Sequence, residues 1–195
     1  MSAANFVKRS IAGHSWIGLL AGAFMYLICM SGTLAVFHQE FERWEQPSVE
    51  EYRDYDVQLL ENAYLNFIDL HTEETEHLHL VFPSPSIPRM VVENDHLARF
   101  VNKDGTLGDF ENFAWTKMLV NLHAYLSLPN TLGVIVVSVF GVLLLGLIFS
   151  GFLAHPRILK DAFRLRRGGN KRLEQVDIHN RLSVWGAPFH FMIAL

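Results

Sequence analysis

LGVIVVSVFGVLLLGLIFSGFL occupies residues 132–153, and its reading decides the fold. No charge interrupts these 22 positions, which at 1.5 Å per residue extend about 33 Å, enough to cross the hydrocarbon core of a bilayer. A soluble helix of that length keeps a polar stripe, and this one has none. The chain is therefore read as an α-helical membrane protein. Two histidines bracket the run, His123 upstream and His155 just beyond its end.

Upstream, residues 16–37 (WIGLLAGAFMYLICMSGTLAVF) form a second uncharged run of the same length. It is too long for the apolar part of a cleaved signal and reads as a retained first span. Gly18, Gly22, Ala23, Ser31 and Gly32 give it small faces for close helix packing. Between the two spans the composition reverses. From Gln39 to Glu111 there are 17 acids against five bases, a local charge near −12. Within it, Leu59, Leu60, Ala63, Tyr64 and Phe67 recur at helical spacing over 56–70. Three strand-like runs follow, His77 to Phe82, Met90 to Val92 and Leu97 to Val101, punctuated by Pro83, Pro85, Pro88 and the turn signal Asn102-Lys-Asp-Gly105. A small α+β insert results.

Residues 110–130 read as an interfacial amphipathic helix on Trp115, Leu119, Leu122 and Leu126. Beyond the second span, 155–181 carries eight bases against three acids, including Arg164-Leu-Arg-Arg167. The positive-inside rule places that segment and the N-terminus, with Lys8 and Arg9, in the cytoplasm, and residues 39–130 on the other side. A third apolar run, 182–195, is shorter than a span and reads either as an interfacial segment or, the favoured reading, as a span begun and continued in a longer chain. The expected organisation is thus 1–38 with the first span, 39–109 the insert, 110–130 the interfacial helix, 131–154 the second span, 155–181 a basic loop, and 182–195 the start of a third span.

The single Cys29 excludes an intrachain disulfide, a CxxC motif and iron–sulfur ligation. No Gly-rich phosphate loop is present, and bases beside spans argue for topology rather than nucleic acid. The ten histidines are the chemical residue left. By depth, His14, His155 and His179 belong to one leaflet, and His123 belongs to the other, from which it could approach His190. Neutral imidazoles from facing helices are good iron ligands, and two hemes stacked across the bilayer would suit this pattern. The plain alternative for each is an interfacial histidine. His38 reads that way, and His71 and His96 as surface residues. His77 and His79 share a strand face and could bind a metal, but with no third ligand evident they read as a solvated pair. Cys29 reads as packing.

Several pieces together resemble the PepSY-associated transmembrane family of bacterial inner-membrane proteins. They are His14-Ser-Trp-Ile-Gly18, Ser31-Gly32, Leu122-His123, Leu126-Ser-Leu-Pro129, Ser150-Gly-Phe-Leu-Ala-His155, Asp177-Ile-His179-Asn-Arg181 and Trp185-Gly-Ala-Pro-Phe-His190. The resemblance implies a multi-pass inner-membrane protein with a PepSY-like periplasmic insert. It further implies heme b held by His14, His123, His155, His179 and His190, with His123 and His179 foremost, and leaves the catalytic residues unknown. By the same resemblance the activity is electron transfer that releases iron from a ferric siderophore or a related acceptor, fed by an unidentified donor, with the lipid bilayer as surroundings. Two other readings stand beside it: a non-enzymatic module whose insert binds or restrains a periplasmic partner, and an auxiliary transporter subunit. An acidic insert repels an anionic ferric chelate, so no substrate site is assigned to it.

Overall fold

Helix-favouring Ala, Lys and Arg without a proline precede the first apolar run, and α1 accordingly spans Ala3–Ala35, starting well before Trp16. The computed structural model describes residues 3–71, 73, 75–155, 157–163 and 170–195. The basic cluster at 164–167 lies outside the described residues. After α1 come α2 (His38–Glu45), α3 (Val57–Leu70), the strands β1 (Leu78–Val81), β2 (Met90–Asn94), β3 (Ala98–Val101) and β4 (Leu107–Phe110), then α4 (Ala114–Tyr125), α5 (Asn130–Ala154), the short α6 (Ile158–Asp161) and α7 (Lys171–Ile193). Two described helices, Asn5–Ala35 and Asn130–Ala154, are long and apolar enough to cross a membrane. Their surfaces stay open: Leu19 is 77% exposed and Val142 67%. Apolar area on that scale suits lipid, not water. Helix α7 begins at Lys171, so the basic stretch is partly helical, and Pro188 sits inside it.

The chain divides into two compact units, Met1–Gly32 with Asn121–Leu195, and Thr33–Val120. The second is the α+β insert. Its four strands form one antiparallel sheet in sequential order, one strand more than the three expected. The added strand, Leu-Gly-Asp-Phe, carries two poor β-formers and declares itself only by pairing with β3 across the turn at left-handed Gly105. The Asp56 side chain caps α3 by accepting from the Leu59 N–H at 2.8 Å. Leu59, Ala63 and Phe67 then bury one stripe of α3 against Met90, Val92 and Val101 of the sheet, with Tyr52 completing the cluster. Tyr64 belongs to the expected apolar set but stays exposed. Burial pushes the Tyr52 hydroxyl up to about 12, and it donates to the Val101 carbonyl at 2.8 Å. The opposite sheet face packs Val91 and Phe100 against Phe113.

Helix α2 is short and mostly polar, with Phe41 and Trp44 as its apolar members, yet it positions two clamps. The Arg89 side chain is 3% exposed and donates to the Gln46 carbonyl at 2.9 Å, while Glu51 pairs with it at 3.3 Å. Glu45 accepts from the N–H groups of Trp115 and Thr116 and from the Thr116 hydroxyl, at 2.7, 2.9 and 2.6 Å, closing the start of α4. Partial burial pushes its carboxyl up. The bonds from Thr116 and Trp115 outweigh that and hold it below the usual carboxylate value. A carboxyl lowered on folding stabilises the fold above its unfolded pKa, and the benefit fades as pH falls through the folded value. The thermal midpoint of the detergent-solubilised protein should therefore drop as pH falls below about 4.5. Glu45→Gln should lower the midpoint at pH 7 and show a shallower acid decline; equal acid slopes would refute this.

Candidate functional site

Helix α1 runs antiparallel to α5 within the first unit, with Phe24 stacked on Phe140 at 5.2 Å and His14 set against the other end of α5. The His14 Nδ1 lies 3.1 Å from the Leu147 carbonyl and 3.1 Å from Ser150 Oγ. A carbonyl only accepts, so Nδ1 carries the proton and Nε2 keeps its lone pair. Gly151 allows the approach: a Cβ there would sit 3.3 Å from the imidazole. Helix α7 brings His179 to the same place, its ring centroid 6.1 Å from that of His14 with the planes at 67°.

A cavity of about 570 Å³ opens here between α1, α5 and α7. That volume falls in the usual range for small-molecule and cofactor pockets. Its walls are mostly apolar, including Leu144, Leu147, Ile148 and Val184, and His14, His155, His179 and His190 all line it. The His155 Nε2 lies 3.7 Å from Asp161, while its Nδ1 is buried with no hydrogen-bond partner among the described residues. His190 therefore stands with the other three cavity histidines rather than with His123.

His123, on the last turn of α4, has its own seat. Its Nδ1 donates to the Ile28 carbonyl at 2.9 Å, and its ring lies flush on Gly32, where a Cβ would come within 2.5 Å. Ile28 is 14 residues from His14 along α1, roughly 21 Å at helical rise. Imidazoles thus occupy both ends of one span. Ser31, fully buried, turns its hydroxyl back to the Leu27 carbonyl. Small residues next to a polar one were the only advance sign of this seat.

The remaining histidines sort differently. His38 Nδ1 donates to the Ala35 carbonyl at 3.1 Å and so caps α1. His71 packs on Phe67 with its Nε2 buried, more enclosed than a surface residue. Cys29 lies on the exposed surface of α1.

The donor set can be tested against heme. Among the described residues no three His, Cys, Asp or Glu side chains gather around one point, so the cavity offers a bare ion no set of three protein ligands. A metalloporphyrin asks for less, one imidazole on each face, because the ring supplies the other four ligands. His14 and His179, whose ring centroids lie 6.1 Å apart on the cavity wall, are the pair that would hold such a group. Metal-bound histidines usually donate the second ring N–H to a carbonyl or carboxylate, as His14 and His123 do. The residues fit the group.

A family profile described as the PepSY-associated TM region matches residues 12–195. An uncharacterized protein of Pseudomonas aeruginosa is 40% identical over 72 residues, a stretch covering 37% of this chain and 18% of that relative. No solved structure matches the chain.

Proposed function

Because the chain belongs to the PepSY-associated TM region family, a membrane family, we propose that it is a heme-dependent electron-transfer protein of the bacterial inner membrane. Its acceptor is a ferric siderophore or a related oxidised iron species met during iron uptake. The reading rests chiefly on one observation: His14 has its Nδ1 proton engaged by Leu147 and a second imidazole, His179, 6.1 Å away on a roomy apolar cavity. Heme b, when bound, supplies a reversible one-electron iron couple.

The protein's own residues do the rest. His14 and His179 hold one group, and the Leu147 carbonyl fixes the His14 tautomer and ring plane. Leu144, Ile148 and Val184 keep water from the cavity, and dryness is one of the levers on a heme potential. His123, held by Ile28 and seated on Gly32, would offer one further imidazole ligand at the far end of α1. In this reading the basic segments face the cytoplasm and the acidic insert faces the periplasm.

Absorbance of the protein purified from heme-replete bacterial membranes, before and after dithionite, provides the test. A reducible bis-histidine spectrum is expected. His14→Ala or His179→Ala should remove the share of heme bound at that end, and His123→Ala the share at the other. A colourless protein, or a spectrum indifferent to all three changes, refutes the proposal and favours a non-enzymatic module that binds a periplasmic partner.

A further inference from the structure

The open end of the acidic insert carries a second histidine arrangement, unrelated to the cavity. His77 immediately precedes β1 and His79 lies within it, two residues apart on one face of the strand. Their rings stack at 6.0 Å with planes only 8° apart. The sequence offers this pair no third partner. The fold supplies one, because the β2–β3 turn brings Asp95 against the start of β1. The Asp95 Oδ1 lies 3.1 Å from the His77 Nδ1, and its Oδ2 accepts from the Thr75 hydroxyl and from the N–H groups of Glu76 and His77 at 2.7, 2.8 and 3.2 Å. The Thr75 hydroxyl and those two N–H groups hold the Asp95 carboxyl well below the usual carboxylate range. Asp95, an acceptor at Nδ1, orients the His77 ring and leaves Nε2 as the nitrogen it does not engage.

A carboxylate orienting one nitrogen of a histidine whose other nitrogen is free is the common support for metal ligation. Glu93 pairs directly with His79 across the β1–β2 ladder, so its carboxylate shares the face and stands within side-chain reach. Around these groups the insert carries its large negative charge, a field that repels anions and concentrates cations.

We propose that His77 and His79, with His77 oriented by Asp95 and Glu93 alongside, form a surface site for a borderline divalent transition ion such as Cu²⁺ or Zn²⁺. Imidazole with carboxylate suits these ions, and at a site built from such ligands Cu²⁺ should bind more tightly than Zn²⁺. Water completes the coordination, since among the described residues no third side chain is already in place. The site is independent of the heme reading.

The test is titration of the untagged, detergent-solubilised protein with Cu²⁺ alone and with Zn²⁺ alone, read by competition with a chromophoric chelator. One tight equivalent is expected, with the Cu²⁺ form giving the electron paramagnetic resonance pattern of two nitrogen ligands. His77→Ala and His79→Ala should each weaken it at least tenfold. Asp95→Asn should weaken it about 10- to 100-fold, the usual effect of losing an outer-shell partner. Because Asp95 also holds the Thr75–His77 loop, the exposed His79→Ala change serves as the variant that leaves the fold intact, checked by circular dichroism. A tight equivalent that survives the double change His77→Ala, His79→Ala, or its absence from the unaltered protein, overturns the proposal. Heme absorbance should not move in any of these variants, so failure here and failure of the redox reading are told apart.

Discussion

Replacing Phe67 by alanine should destabilise the insert by about 3–5 kcal/mol, the usual range for emptying a fully buried aromatic site. The ring is 1% exposed on the last turn of α3 and shares its cluster with Met90, Val92 and Val101, each nearly inaccessible to water. Those partners are fixed by ladder hydrogen bonds and cannot collapse into the gap. A small domain has only about 5–15 kcal/mol to lose, so the loss approaches the whole. Partial proteolysis of the intact protein in detergent reads the outcome: Phe67→Ala should be cut within 33–120 many times faster. Tyr64→Ala, on the exposed side of the same helix, should stay within about 0.5 kcal/mol of the parent. Equal resistance of Phe67→Ala and the parent would show that α3 does not depend on this stripe.

Gly133→Ala should have the next largest effect, and it acts on the corner between α4 and α5. A Cβ at 133 would lie 2.6 Å from the Tyr125 Cβ and 2.7 Å from its Cα and carbonyl oxygen. Two of these three atoms are backbone and have no rotamer by which to escape. The corner is already committed, because Leu126 and Ser127 both adopt left-handed φ values, 51° and 57°. Each such residue costs about 1–2 kcal/mol. Overpacking there should remove about 1–3 kcal/mol and lower the thermal midpoint. It should also unseat His123, which belongs to the same final turn of α4 as Tyr125, from the Ile28 carbonyl. Gly146→Ala is the matched control. Nothing lies within 4 Å of a Cβ there, and helix propensity favours alanine. If the two variants melt alike, the corner is looser than the contacts imply.

These cases separate what the sequence makes legible from what it hides. Helix α5 is readable because 22 consecutive uncharged residues leave no other physical solution, and the α3 stripe because burial repeats with the helical period. Strand β4 is hidden, since Gly108 and Asp109 have little strand preference and only the partner strand imposes it. Helix α2 is hidden for a different reason: its role is to offer carbonyls to Arg89 and a carboxylate to Thr116, and such bonds reach across 43 and 71 residues of chain. The same limit applies to the histidines. Their depth followed from hydropathy, but the gathering of His190 with His14, His155 and His179 follows from how α7 packs. The link between His77 and Asp95 follows from a turn that no spacing rule reports.

Pro188 has no N–H, so the usual rung to the carbonyl four residues earlier, at Val184, is missing from α7. A ladder short of one rung breathes there first. The gap falls between His179 and His190, which stand on opposite sides of it. The stretch bearing His190 is therefore tied to the turn bearing His179 less rigidly than an unbroken helix would tie it.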